Sequence, residues 1–263
     1  MSTHVTPPRK PLIMGNWKMK PALLADAKTI VTKIGKQAGS FRNVDIVLCP
    51  PAVFLSELKR ATTSRKIMWG AQDCATRREA SETGSLSPAQ VKSVGAKYVI
   101  VGHSERRALG DTDEIVRTKM DVALAEGLTV VVCIGERVRD TRGDYLQLLN
   151  AQLISAFKGR PRTELDRIII AYEPLWAIGK SAKEANVQPG DIHEMMIFVR
   201  KFFAERYGKA IADERVVLYG GSVEPVNTRM VLTQGHADGA LIGHASIVPS
   251  DFLSILTIAN ERT

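Results

Sequence analysis

A histidine at position 103 follows the run Tyr98-Val99-Ile100-Val101-Gly102, whose β-branched residues suit a buried strand. It stands where a helix should begin, with Ser104 and Glu105 in the first turn. The positive end of the helix dipole disfavours an imidazolium at that place. A neutral imidazole there donates a hydrogen bond to a carbonyl oxygen without becoming an acid itself. Glu173 ends a second apolar run, Ile168 to Tyr172. A carboxylate carried straight out of a buried strand is costly unless it has a task or a partner, and a salt-bridged glutamate is the plainer alternative. Asn16 and Lys18 flank Trp17 after Leu12-Ile13-Met14-Gly15, so the lysine is either a surface charge or a cation held at a strand mouth. Two turns, Tyr219-Gly220-Gly221-Ser222 and Gly243-His244-Ala245-Ser246, let backbone N–H groups approach an anion closely.

These residues need a scaffold, and the chain supplies one by repetition. Strands are expected at Leu12 to Trp17, Val44 to Cys49, Ile67 to Gln72, Tyr98 to Gly102, Thr129 to Ile134, Arg167 to Tyr172, Val216 to Tyr219 and Gly239 to Ile242. Most are continuous apolar runs, as strands covered on both faces are. Helical stripes lie between them. One is Val116, Met120, Ala123 and Leu124, stopped by Gly127, and a second is Tyr145, Leu148, Leu149 and Leu153. A third, Ile192, Met195, Met196, Val199 and Phe203, is closed by Gly208. Repeated right-handed βα units give a parallel sheet, and eight of them close into a barrel. The fold class expected is α/β, an eight-stranded parallel β/α barrel, as one domain over 1–263 with residues 1–10 as a short polar tail. Functional groups of such barrels gather at the C-terminal ends of the strands, and the loops after strands seven and eight commonly cradle phosphate. The glycine-rich GxGxxG turn of dinucleotide-binding folds is absent.

Composition narrows the classes. The net charge is +8, and its basic residues are scattered along the chain without an aromatic-interleaved tract. They suit a solvated surface that attracts an anionic substrate better than a nucleic-acid or membrane surface. Cys49, Cys74 and Cys133 are an odd number without a CxxC pair, so no disulfide framework is expected and a reducing cytoplasm is the natural compartment. His4 lies in the tail, while His193 and His236 sit in helical or loop contexts suited to solvated or capping roles. No histidine or cysteine spacing points to a metal.

Gly15-Asn16-Trp17-Lys18-Met19, Tyr98 to Arg107 and Ala171-Tyr172-Glu173-Pro174-Leu175-Trp176-Ala177 together resemble the triosephosphate isomerase family, with the likeness running from Leu12 to about Leu256. The resemblance implies a TIM barrel that interconverts dihydroxyacetone phosphate and D-glyceraldehyde 3-phosphate in glycolysis and gluconeogenesis. It implies a homodimer without cofactor or metal, acting on small phosphorylated ketose and aldose substrates and not on nucleic acid or membrane. Glu173 would be the base, His103 the group that polarises the carbonyl, and Lys18 the cation that offsets the enediolate charge. Asn16, Gly179, Ser222, Gly243 and His244 would bind substrate, the last four through backbone donors for the phosphate. Ser104, Glu105, Cys133, Glu136 and Tyr219 would support them, with Arg106 beside Glu105. Pro174, Leu175 and Trp176 would form the first hinge of a lid, and Lys180, Ser181 and Ala182 its second. Thr83 would reach into a partner subunit's site.

The chain departs from the family in four places. Lys20-Pro21 replaces Asn-Gly, and His244 stands where a second glycine is common. The sixth loop, WAIGKSAKEA, lacks a Thr-Gly pair before its lysine, which would shorten the lid by two residues unless the segment from Asn186 to Gly190 compensates. Ser85 replaces a glutamate that pairs with the arginine matching Arg106, so that contact should weaken or pass to another acid such as Glu82. The altered lid also keeps open an isomerase of a four-carbon ketose phosphate. A barrel kept as a non-catalytic scaffold would not need Asn16, Lys18, His103 and Glu173 together.

Overall fold

The computed structural model describes residues 9–140 and 142–261; the tail expected over 1–10 lies outside it apart from Arg9 and Lys10. The first half of the chain runs β1 (Leu12–Asn16), α1 (Leu24–Ala38), β2 (Asp45–Cys49), α2 (Ala52–Ala61), β3 (Ile67–Ala71) and α3 (Pro88–Ser93). There follow β4 (Tyr98–Val101), α4 (Ser104–Ala108), α5 (Asp113–Ala125), β5 (Thr129–Ile134), α6 (Asp144–Phe157) and α7 (Arg162–Leu165). Next come β6 (Ile168–Tyr172), a 3-10 turn at Leu175–Ala177, α8 (Ala182–Ala185), α9 (Pro189–Tyr207) and α10 (Lys209–Glu214). The chain ends with β7 (Val217–Tyr219), α11 (Pro225–Thr233), β8 (Gly239–Ile242), a second 3-10 turn at His244–Ile247, and α12 (Pro249–Asn260). All eight strands pair in parallel with their sequence neighbours, and β1 pairs with β8 to close the barrel. Each expected strand is present. Trp17, Val44, Gln72, Gly102, Arg167 and Val216 fall one residue outside, because each begins or ends a turn.

The strand period of two divides the core into two layers. Leu12 and Met14, Val131 and Cys133, and Ile169 and Ala171 fill the barrel interior. Ile13, Val130, Val132, Ile168, Ile170 and Tyr172 face outward against the helices. The same alternation carries Asn16 and Glu173 inward at the top of their strands. Gly127 and Gly208 end α5 and α9 with positive φ, as their stripes required. The second stripe needs a correction. Tyr145, Leu149 and Leu153 are buried, but Leu148 is 47% exposed, since it sits on the outer flank of α6. No helix among the described residues is long and apolar enough to cross a membrane.

Candidate active site

Lys18, His103 and Glu173 meet at the C-terminal mouth of the barrel, in an open cavity of about 1040 Å³. Asn16, Gly179, Lys180, Ser181, Ser222, Gly243 and His244 line the same cavity.

His103 arrives there through the turn that ends β4. Gly102 takes φ +68, a value costly for any residue with a Cβ, and redirects the chain after the strand. His103 then caps α4, its Nδ1 accepting the Glu105 backbone N–H at 3.2 Å. A ring nitrogen that accepts carries no proton, so the imidazole is neutral with its proton on Nε2. Nε2 lies 3.2 Å from Glu173 Oε1.

Glu173 is 2% exposed, and its other oxygen accepts the Ser104 N–H at 2.9 Å. Gly220 leaves the room this side chain needs, since a Cβ there would stand 2.9 Å from Glu173 Cγ. Cys133 lies beneath the carboxylate. Burial, and then the neighbouring Glu173 charge, push its thiol well above its ordinary range, so it is an inert donor. Cys49 and Cys74 are buried free thiols as well, the latter pushed up to about 12 chiefly by burial.

Lys18 sits in the left-handed region at φ +54, which costs a non-glycine residue about 1–3 kcal/mol. Neighbours hold it there. Its N–H donates to Asn16 Oδ1 at 3.1 Å, and its carbonyl accepts from Gln72 Nε2 at 2.9 Å. The same Gln72 amide donates to the Cys49 carbonyl at 2.9 Å. The Lys18 ammonium donates to Glu105 Oε1 at 2.6 Å, so α4 supports both the lysine and the histidine. Gln72 was not anticipated; a polar residue at the end of a barrel strand was the available signal.

Arg106 also departs from expectation. Its partners are not Glu82 but Asp73 at 2.9 Å and Asp111 at 3.6 Å. Glu82 lies 3.9 Å from Arg77 instead. Lys119, 4% exposed, joins the two aspartates at 2.8 and 2.6 Å. Asp73 follows β3 and Asp111 follows α4, so both reach Arg106 without the loop tip. Burial, outweighing these cations, raises the Asp73 carboxyl above its ordinary value. Thr83 lies in a stretch, residues 77–86, that is exposed throughout.

The lid begins at Pro174 and the 3-10 turn. Glu136 Oε1 accepts from Tyr172 Oη at 2.7 Å and from Trp176 Nε1 at 2.9 Å, while its carbonyl takes the Leu175 N–H at 2.9 Å. Glu136 Oε2 has no partner among the described residues, and burial raises this carboxyl above its usual value. Gly179, at φ +78, forms the tip. Ser181 then starts α8 at once through a capping box with Glu184, and left-handed Asn186 ends it before α9. The sequence between the lid tip and α9 is thus spent on an extra helical turn. Ser222 Oγ donates to the Lys180 carbonyl at 2.8 Å, joining the lid to the seventh loop. Tyr219, which was expected near these contacts, has a buried hydroxyl with no partner among the described residues. The backbone N–H groups of Gly179, Gly221, Ser222 and His244 likewise find no acceptor among the described residues. An anion in the cavity would supply one. His193 and His236 lie against each other, away from this site, with ring centres 4.4 Å apart and planes tilted by 42°.

A family model described as Triosephosphate isomerase matches residues 11–259. The triosephosphate isomerase of Bacteroides fragilis (strain ATCC 25285) is 39% identical over 257 residues, which is 96% of this chain and all of that protein. Those of Thermoanaerobacter sp. (strain X514) and Geobacter metallireducens are each 38% identical over 250 residues, 94% of this chain and 99% and 98% of theirs.

Proposed function

The chain belongs to the triosephosphate isomerase family, and we propose that Glu173, His103 and Lys18 carry its interconversion of dihydroxyacetone phosphate and D-glyceraldehyde 3-phosphate. The observation that bears most on this assignment is the occupied Nδ1 of His103. It leaves one N–H, on Nε2, 3.2 Å from Glu173 Oε1 in the cavity that Lys18 also lines.

Starting from the ketose, Glu173 takes a proton from C1. The electron pair of that C–H bond forms the C1–C2 double bond, and the carbonyl π pair moves onto O2. His103 donates its Nε2 proton toward that oxygen and transfers a proton between O2 and O1, while the Lys18 ammonium offsets the negative charge. Glu173 then returns its proton to C2. Atoms and charge balance without another reactant. Before substrate enters, the carboxylate rests on the Ser104 N–H and on His103. A carbonyl oxygen that takes over Nε2 releases the carboxylate to turn onto carbon.

The N–H groups of Gly179, Ser222, Gly243 and His244 hold the phosphate, and the lid excludes water while the enediolate exists. The chain acts as one isomerase domain and as a homodimer, with the exposed loop around Thr83 entering the partner's site. It works in the cytoplasm, a reading supported by three buried free thiols. The test is a coupled assay of purified protein against three- and four-carbon ketose phosphates. Turnover of the triose is expected; folded protein that turns over neither would overturn the reading.

A further inference from the structure

The barrel gathers at its other end what the sequence scatters. In a parallel barrel every strand starts at one rim, so the residues just ahead of β1 to β4 share a face. They are Arg9, Lys10, Arg42, Arg65, Lys66 and Lys97. Backbone bonds set the level of these starts: Asp45 N–H donates to the Pro11 carbonyl at 2.9 Å, so β1 and β2 start together, while Lys97 N–H donates to the Trp69 carbonyl at 2.8 Å, so β4 starts opposite the middle of β3. All six except Lys66 are exposed. Among the described residues only Lys66 has a carboxylate close by, Asp45 at 3.5 Å. The far side of the same rim is different. There Arg160 is paired with Asp121 and Glu164 at 2.7 and 2.9 Å, and Arg215 with Asp166 at 3.0 Å. One sector of this face therefore holds like charges with almost no counter-charge, and it lies opposite the active site.

We propose that this basic sector binds the sugar-phosphate backbone of duplex nucleic acid, without regard to base sequence. The chemistry of the patch selects that partner. The exposed large apolar side chains at loop tips, such as Met19, Leu109, Val138 and Val226, stand at the active-site end; among the described residues this sector has only Val94, 38% exposed. The core of a stable protein interface is close-packed and poor in charged residues, and stable membrane binding needs an apolar face or an acyl chain beside the charge. Single strands are held largely by stacking on aromatic rings, and the described residues of this sector expose none. A row of phosphates is the partner that cations alone hold, with Arg42 and Arg65 able to fork two phosphate oxygens each.

The test is anisotropy of a labelled mixed-sequence duplex of about 20 base pairs, titrated with the whole protein from 50 to 200 mM NaCl. With four to six phosphates engaged, the affinity should fall with a log–log slope of about −4 to −5. The triple variant Arg42→Glu/Arg65→Glu/Lys97→Glu should bind at least about 30-fold more weakly with isomerase activity unchanged. The milder Arg42→Ser/Arg65→Ser/Lys97→Ser serves if that protein does not fold. A control, Lys33→Glu/Arg142→Glu/Lys201→Glu, makes the same change in net charge elsewhere and should lose less than about fivefold. Equal losses in patch and control variants would overturn the proposal, because net charge alone would then hold the duplex. So would binding to vesicles of anionic phospholipid that matches the duplex and is equally sensitive to the patch variant. Isomerase activity in the same samples keeps this outcome separate from the reading of the active site.

Discussion

Replacing Gln72 with Met should cripple the enzyme although Gln72 touches no reacting atom. Among the described residues its amide is the only partner of the Lys18 carbonyl, while the Cys49 carbonyl keeps the Trp17 N–H at 3.1 Å. The variant therefore leaves one carbonyl unpaired, at about 1–3 kcal/mol, and barely affects the other. It also removes a restraint on a left-handed lysine that stores about 1–3 kcal/mol of strain. The backbone can release both costs by rotating Lys18 out of φ +54, which swings the ammonium away from Glu105 and the cavity. A loss of about 2 kcal/mol in transition-state stabilisation corresponds to a fall in kcat/KM of about 30-fold. Both kcat and KM should worsen, since one cation serves bound substrate and enediolate alike. Steady-state kinetics on protein shown to be folded by circular dichroism gives the answer. A variant within threefold of the parent kcat/KM would refute the idea that Gln72 holds the lysine in place.

Three further outcomes are expected. Glu136 has a raised carboxyl pKa in the fold, so its favourable contribution is complete below the unfolded carboxyl range and is lost as pH rises through the folded value. Glu136→Gln keeps an acceptor for Tyr172 and Trp176, and should raise Tm at pH 7–8 and flatten Tm against pH; a lower Tm at pH 7 would contradict this. Ser222→Ala removes the hydroxyl that holds the Lys180 carbonyl, so the lid should close less firmly and methylglyoxal, the product of phosphate loss from an exposed enediolate, should rise per turnover. Unchanged leakage by product analysis would remove Ser222 from that task. Thr83→Arg should convert the protein to a less active monomer by sedimentation, and a fully active parent monomer at assay concentrations would exclude the obligate dimer.

The barrel was legible because its strands are buried on both faces and read as unbroken β-branched runs, each bounded within a residue by the turn that follows. His103, Glu173 and Lys18 stood out for the same reason, as polar residues ending apolar strands. What escaped were groups that act through another residue. Gln72 and Asp73 also end a strand, but an amide and an aspartate there look like ordinary strand termini until Lys18 and Arg106 are seen beside them. Glu82 seemed a natural partner for Arg106 because it is close to Ser85 in sequence, whereas Asp73 and Asp111 reach it through the fold. Leu148 matched its stripe in spacing, yet α6 is wide enough in contact on one flank only. Arg42, Arg65 and Lys97 are far apart in the chain, and only the common direction of parallel strands puts them on one face.

The proposed reaction requires that Glu173 move the proton while other residues hold the phosphate. The direct measurement is turnover of dihydroxyacetone phosphate by Glu173→Gln, set beside the affinity of the same protein for glycerol 3-phosphate. The expected result is a fall in kcat of about 10³-fold or more with the affinity changed less than about tenfold, as for an interaction made only in the transition state. Near-normal turnover in folded Glu173→Gln protein would remove Glu173 from the proton transfer.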